Sequence, residues 1–247
     1  MYTDKTTYRT SHAEDGYGKH YQKTYTSGYY ATLWDKIEKP LILDIFSRLK
    51  SEGATTCLDF ACGTGRITKV AEEIFNEVTG VDISGDMLDL AKCQIPNATF
   101  IEQDITKELL TGKYDVISSF RFFLNAENKL RESSLESLHN LLDENGTLVI
   151  NVHVNKYSPL GRVYRLRNKL YGKTIANTLG YDEFSDCLNK AGFSVNETIW
   201  YGFYPRTGWA FGSIASMFLN PFETFCKRTK LFPKSWAQNF IVLCNKS

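Results

Sequence analysis

The stretch Cys57-Leu58-Asp59-Phe60-Ala61-Cys62-Gly63-Thr64-Gly65-Arg66-Ile67-Thr68 constrains this chain more than any other. A short buried-strand pattern runs directly into a glycine turn, and the turn runs directly into a helical pattern. Such a junction opens a β-α-β unit, and repeated units build a parallel sheet covered on both faces. Gly63 and Gly65 let the backbone turn tightly and touch a ligand, while the free N–H groups at the start of the next helix favour an anionic group. Beyond this turn, Asp82 closes a second strand pattern, where a carboxylate can accept both hydroxyls of a ribose. Glycine turn and acid together point to an adenosine-type ligand.

The alternation continues along the chain. Strands are expected at Thr56 to Phe60, Glu77 to Ile83, Ala98 to Gln103, Asp115 to Ser119 and Thr147 to Val152, with helices at Arg66 to Phe75, Asp86 to Cys93 and Glu127 to Leu142. Beyond Val152 the rhythm changes. Residues 155 to 178 are basic and aromatic, with a helix in their middle; a helix at Asp182 to Ala191 and strands at Ser194 to Gly202 and Gln238 to Asn245 follow. The connection from Phe203 to Ala237 far exceeds the usual length of about 4 to 6 residues, which favours a functional role. At the other end, Tyr17, Tyr21 and Tyr25 recur every four residues and so share one helical face, either packed on the body or closing over a ligand.

At 247 residues, with 43% hydrophobic and 23% charged side chains, the chain can bury a real core and is not of a disordered class. The net charge of +1 provides no global field for holding DNA or an anionic membrane, so any such contact must come from a local patch. Six cysteines without a CxxC pair, together with a polar N-terminus, predict reduced thiols in a cytoplasmic protein, with no metal site. No apolar run approaches the roughly 20 residues of a spanning helix.

A dinucleotide fingerprint would place Gly or Ala at position 68, where Thr68 stands, and this weakens a nicotinamide oxidoreductase reading. The residues resemble instead the class I S-adenosylmethionine-dependent methyltransferases, whose acidic-x-x-x-Gly-x-Gly motif corresponds to Asp59 through Gly65. Val81-Asp82-Ile83-Ser84 with Met87-Leu88, Glu102 to Ile105, Tyr114 to Ser119 and Asn145 to Ile150 continue the resemblance in order. It implies an α/β fold with a doubly wound, mostly parallel seven-stranded sheet of Rossmann-like type. Residues 1–40 are then a helical lid segment and 41–247 the methyltransferase domain, with cap-like insertions at 153–180 and 203–237. By the same resemblance, Asp59 belongs to the cofactor site, the loop Ala61, Cys62, Gly63, Thr64, Gly65 holds the methionine part of S-adenosylmethionine and Asp82 its ribose. Ile83 and Met87 face the adenine, Asp104 with Ile105 beside it accepts from the exocyclic amine, and Phe120 walls the cofactor. S-adenosylhomocysteine is the implied product. Cys62 is expected to have no nucleophilic role.

Acceptor groups are expected beyond the carboxyl ends of the strands. His153, directly after the fifth strand, is the candidate base, because an imidazole can take a proton near neutral pH. Arg121 could bind an anionic substrate group or pair with a carboxylate. No acidic residue lies between Glu144 and Asp182, while Lys156, Arg162, Arg165, Arg167, Lys169 and Lys173 do; Lys227, Arg228, Lys230 and Lys234 form a second cluster. These rims suit an anionic acceptor, a membrane surface or RNA, or are simply solvated. Phe203, Trp209, Phe211, Met217, Phe218, Phe222 and Phe225 suit an apolar or lipid-linked acceptor, or core packing. No Asp/Asn-Pro-Pro-aromatic follows the fourth strand and no Pro-Cys pair is present, which argues against methylation of DNA bases. The expectation is O-methylation of a small-molecule, glycan or lipid-linked acceptor. The alternatives are an RNA methyltransferase and a non-catalytic adenosine-ligand scaffold.

Overall fold

The computed structural model describes residues 28–171, 178–204, 212–229 and 232–247, without the side chains of 212–216. Tyr17, Tyr21, Tyr25, Lys173, Trp209, Phe211 and Lys230 lie outside the described residues. The first helix, α1 (Gly28–Leu33), runs through a π-helical turn (Trp34–Glu38) into α2 (Lys39–Ser51). Pro40 near the start of α2 removes one N–H from the helical ladder, and the widened turn stands immediately before it. The expected division after residue 40 thus falls inside a continuous helical run. Ile42, Ile45, Phe46 and Leu49 bury the inner face of α2 at helical spacing.

The alternating part comprises β1 (Thr56–Phe60), α3 (Arg66–Glu72), β2 (Glu77–Asp82), α4 (Gly85–Gln94), β3 (Thr99–Glu102), β4 (Tyr114–Phe120), α5 (Asn128–Leu141) and β5 (Leu142–His153). After it come α6 (Pro159–Leu170), α7 (Tyr181–Lys190), β6 (Phe193–Tyr201), α8 (Gly212–Thr229) and β7 (Asn239–Lys246). The strands form one seven-stranded sheet in the order β3-β2-β1-β4-β5-β7-β6, in which β7 alone runs antiparallel to its neighbours. The doubly wound, mostly parallel sheet expected above is therefore what forms.

Alternate residues of each strand serve opposite faces. Cys57, Val116, Val149 and Ile241 pack under α1, α2 and α3, whereas Leu58, Ile117, Leu148 and Val242 pack under α5 and α7 through Leu135, Leu138, Phe184 and Leu188. Strand order reverses direction between β1 and β4, so the crevice that binds ligands in such sheets opens at the carboxyl ends of these strands.

Among the differences from expectation, two concern the second half of the chain. Strand β5 begins at Leu142 rather than Thr147, because Tyr114 pairs with Leu142 before the register jumps to Val116 opposite Thr147. The long connection is not irregular throughout but contains α8. The buried Glu223 of that helix accepts hydrogen bonds from the N–H groups of Gly202 (3.0 Å) and Phe203 (2.9 Å), which ties the helix to the end of β6.

Candidate active site

Among the described residues, three that are not glycine have left-handed backbone: Ala61 (φ 55°), Arg121 (φ 66°) and Val154 (φ 63°). Each is the first residue after its strand, and the strands are the adjacent parallel set β1, β4 and β5. Left-handed backbone costs a residue with a Cβ on the order of 1–3 kcal/mol, most of all a β-branched one, and such strain gathers where a site requires a particular geometry. All three bends lie at the rim of the crevice.

At β1 the bend continues through Gly63 (φ 55°) and Gly65 (φ 79°). A Cβ on Gly65 would stand 2.5 Å from Ile95 Cδ1 and 3.1 Å from Ala91 Cβ, so only glycine lets α4 approach this turn. The Cys62 N–H donates to Val81 O (3.1 Å) and the Gly65 N–H to Cys62 O (3.0 Å), joining the loop to β2 and closing it on itself. Asp82 receives the Gly63 N–H at 2.8 Å and the Ser84 N–H at 3.0 Å. The glycine turn and the acid are therefore one hydrogen-bonded unit. A carboxylate is an acceptor-only group that can take several hydrogen bonds, the chemistry a ligand hydroxyl calls for. Met87 is buried, its Sδ 3.3 Å from where a Gly63 Cβ would be; Ile83 and Thr64 are half-buried beside it. Burial holds the Cys62 thiol well above its ordinary pKa, so it stays protonated.

Under the loop, buried Asp59 accepts from Thr68 Oγ1 (2.7 Å) and Ser118 Oγ (2.9 Å). Burial pushes its carboxyl up to about 6, against the opposing pull of these two hydroxyls. Position 68 therefore joins α3 to β1 through a hydroxyl, which no glycine or alanine could supply. Asp104 accepts from the Thr106 N–H (3.1 Å) and hydroxyl (2.6 Å) and lies 3.5 Å from Lys107, while Ile105 is buried in the core. Phe120 is half-buried against the cluster under the N-terminal helices.

The guanidinium of Arg121 meets buried Glu38 (Nη2 to Oε2, 3.0 Å). Of the two roles read for Arg121, pairing with a carboxylate is the one this geometry provides, and the partner is distant in sequence. Tyr201 Oη donates to Glu38 Oε1 (2.9 Å), and Asn151 Nδ2 donates to Tyr201 Oη (2.7 Å). Arg66 lies over the Trp34 ring at 4.5 Å, and Arg121 over Tyr30 at 5.9 Å. Burial alone would raise the Glu38 carboxyl, but the charges of Arg121 and Arg66 and the Tyr201 hydroxyl outweigh it and hold the group below its usual range. Burial and the Glu38 charge push the Tyr201 phenol far up.

His153 ends β5, half-buried, with its Nδ1 buried and Asn239 of β7 opposite it in register. Asn239 is fully buried, and neither side-chain amide atom has a partner among the described residues. A buried amide in that state calls for a ligand or water. Sequence reasoning missed Asn239, Glu38, Tyr201 and Thr68. Only Thr68 carried a sequence signal, its helical position facing the strand acid nine residues earlier.

Residues 57–146 match the family model described as a methyltransferase domain. A malonyl-[acyl-carrier protein] O-methyltransferase of Bacillus cereus is 29% identical over 109 residues, 41% of this chain and 40% of that protein. A protein of Invertebrate iridescent virus 6 is 25% identical over 154 residues, 62% of this chain and 57% of its own length. The matched region thus spans about half of these relatives. Among solved structures, the magnesium protoporphyrin IX methyltransferase of Synechocystis PCC 6803 with bound S-adenosylhomocysteine superposes with a TM-score of 0.66 at 16% identity, over 96% of this chain and 97% of that one. The likeness is one of fold, and the same protein has also been crystallised with S-adenosylmethionine.

Proposed function

Taking residues 57–146 as a methyltransferase domain set in the class I, S-adenosylmethionine-dependent fold, we propose that the chain transfers a methyl group from S-adenosylmethionine to an oxygen of a small-molecule, glycan or lipid-linked acceptor. The observation that carries the reading is the union of the left-handed Ala61–Gly65 turn with the Asp82 carboxylate at the crevice. The donor set fits the cofactor: a carboxylate, the acceptor that ribose hydroxyls need, two glycines in the turn for close approach, and the apolar side chains of Ile83 and Met87 for an adenine. When bound, S-adenosylmethionine supplies an electrophilic methyl on a sulfonium. Asp104 is proposed to orient the adenine edge, with Thr106 holding its carboxylate in place.

This chain's own task is to place the acceptor oxygen in line and to take its proton. His153 is the base, at Nε2, since Nδ1 is buried. Asn239, opposite it, is positioned to hold the acceptor. A base-amino acceptor is set aside because the segment at the end of β4, Ser119-Phe120-Arg121-Phe122, lacks the Asp/Asn-Pro-Pro-aromatic arrangement that grips the exocyclic nitrogen of a base. Oxygen is proposed as the acceptor atom on the name of the Bacillus relative, an O-methyltransferase. Six unpaired cysteines fit a cytoplasmic setting.

Titration calorimetry should show S-adenosylmethionine binding that weakens at least about 10-fold, or about 1.4 kcal/mol, in Asp82→Ala. Labelled cofactor with extract of the source cell should then label an acceptor, and His153→Ala should cut turnover while leaving cofactor affinity intact. Unchanged affinity in Asp82→Ala would sink the site, and an unchanged rate in His153→Ala would remove that histidine from the mechanism.

A further inference from the structure

Helix α6 turns the wrong face outward. On an ordinary surface helix the apolar stripe faces the core and the polar face meets water. Here Gly161, Tyr164 and Asn168 face the body, whereas Val163 (60% exposed), Leu166 (61%) and Leu170 (73%) form a stripe in solvent at spacings of three and four. The rotation is fixed: a Cβ on Gly161 would stand 2.1 Å from Asn155 O, so no residue with a side chain can take that place. Ser158 caps the helix through the Gly161 N–H (3.0 Å) and itself donates to Asn155 O (2.7 Å). Asn155 is in turn tied to the backbone of Ser235 and Ala237. The stripe cannot roll inward without breaking this buried anchor.

Exposed cations flank the stripe, with Arg162, Arg165 and Lys169 on one side and Arg167 on the other, and no acidic residue lies between Glu144 and Asp182. We propose that α6 is a docking helix for an anionic lipid bilayer, lying flat with Val163, Leu166 and Leu170 in the acyl boundary and the arginines and Lys169 at the headgroups. An apolar centre offers nothing to an RNA phosphate backbone, and cations on both flanks repel a second copy of the same face. Apolar stripe and flanking cations together are what an anionic interface selects. Helix α8, which follows β6 and so leaves the same end of the sheet, also exposes Met217, Phe218 and Phe225 beside Lys227 and Arg228. Among the described residues no helix is long and apolar enough to cross a membrane, so the contact is peripheral. The inference does not depend on the methyl-transfer reading.

The test is co-sedimentation of the full chain with vesicles of phosphatidylcholine alone, or of equal parts phosphatidylcholine and phosphatidylglycerol. The chain should pellet only with the anionic vesicles. Leu166→Glu with Leu170→Glu, and separately Arg162→Gln with Arg165→Gln, should each weaken partitioning at least about 10-fold. These positions are exposed, and unchanged circular dichroism and melting will show that the variants fold. A Leu166→Trp reporter should shift its emission to the blue on anionic vesicles. The proposal is overturned if the parent stays in the supernatant with both vesicles, if the glutamate pair pellets like the parent, or if the reporter does not move. It is equally overturned if the stripe captures RNA or an acidic protein in place of lipid.

Discussion

Gly65 and Asp59 show how single residues here carry constraints of opposite kinds. Gly65→Ala must place a Cβ at φ 79° and against Ala91 and Ile95, so it should cost about 2–4 kcal/mol and weaken cofactor binding, checked by urea unfolding and calorimetry. Asp59 is a buried carboxyl whose folded pKa, about 6, exceeds its unfolded value of 3.8. The native state therefore holds its proton more tightly, and stability falls as pH rises from about 4 to about 6, then levels off. Urea midpoints across that window should show the parent losing about 3 kcal/mol relative to Asp59→Asn, in which the step is absent. Glu38 has the opposite sign. Its folded pKa lies below the ordinary 4.5, so its contribution is full above that value and is lost as pH falls beneath it.

At the scale of elements, the N-terminal helical run is fastened to the carboxyl rim by one buried network: Glu38 from the π-helical turn, Arg121 after β4, Tyr201 from β6 and Asn151 from β5. Removing one member leaves a charge buried without its partner, which costs more than the pair itself contributes. Glu38→Gln should thus destabilise the fold by about 3–5 kcal/mol, whereas Glu38→Met with Arg121→Met should lose less than the sum of the single changes by at least about 1 kcal/mol. A thermodynamic cycle from urea unfolding reads both. The network also contains the left-handed Arg121, whose guanidinium meets a carboxylate 83 positions away.

For the whole molecule, the crevice lies where the strand order reverses, at the carboxyl ends of β1 and β4. A ligand bound there ties β1 to β2, so S-adenosylhomocysteine at 100 times its Kd should raise stability by about 2.7 kcal/mol. Asp82→Ala should show almost none of this gain at the same concentration, as read by a melting curve with and without ligand. The glycine turn, the acid after it and the alternation of strand and helix were legible in the sequence, because a local turn and a period of two or 3.6 residues leave their mark within a dozen positions. Where β7 inserts, how Glu38 reaches Arg121, and that Asn239 stands buried opposite His153 were not, because such contacts join residues whose separation along the chain bears no relation to their distance in space. The sequence also marked residues 155 to 178 as basic and aromatic, but only the fold could show that the apolar stripe of α6 faces outward, since the direction of a helical face depends on what the opposite face is packed against. Local stereochemistry thus determined the architecture and the likeness to a methyltransferase domain, and long-range packing decided which side chains meet at the rim.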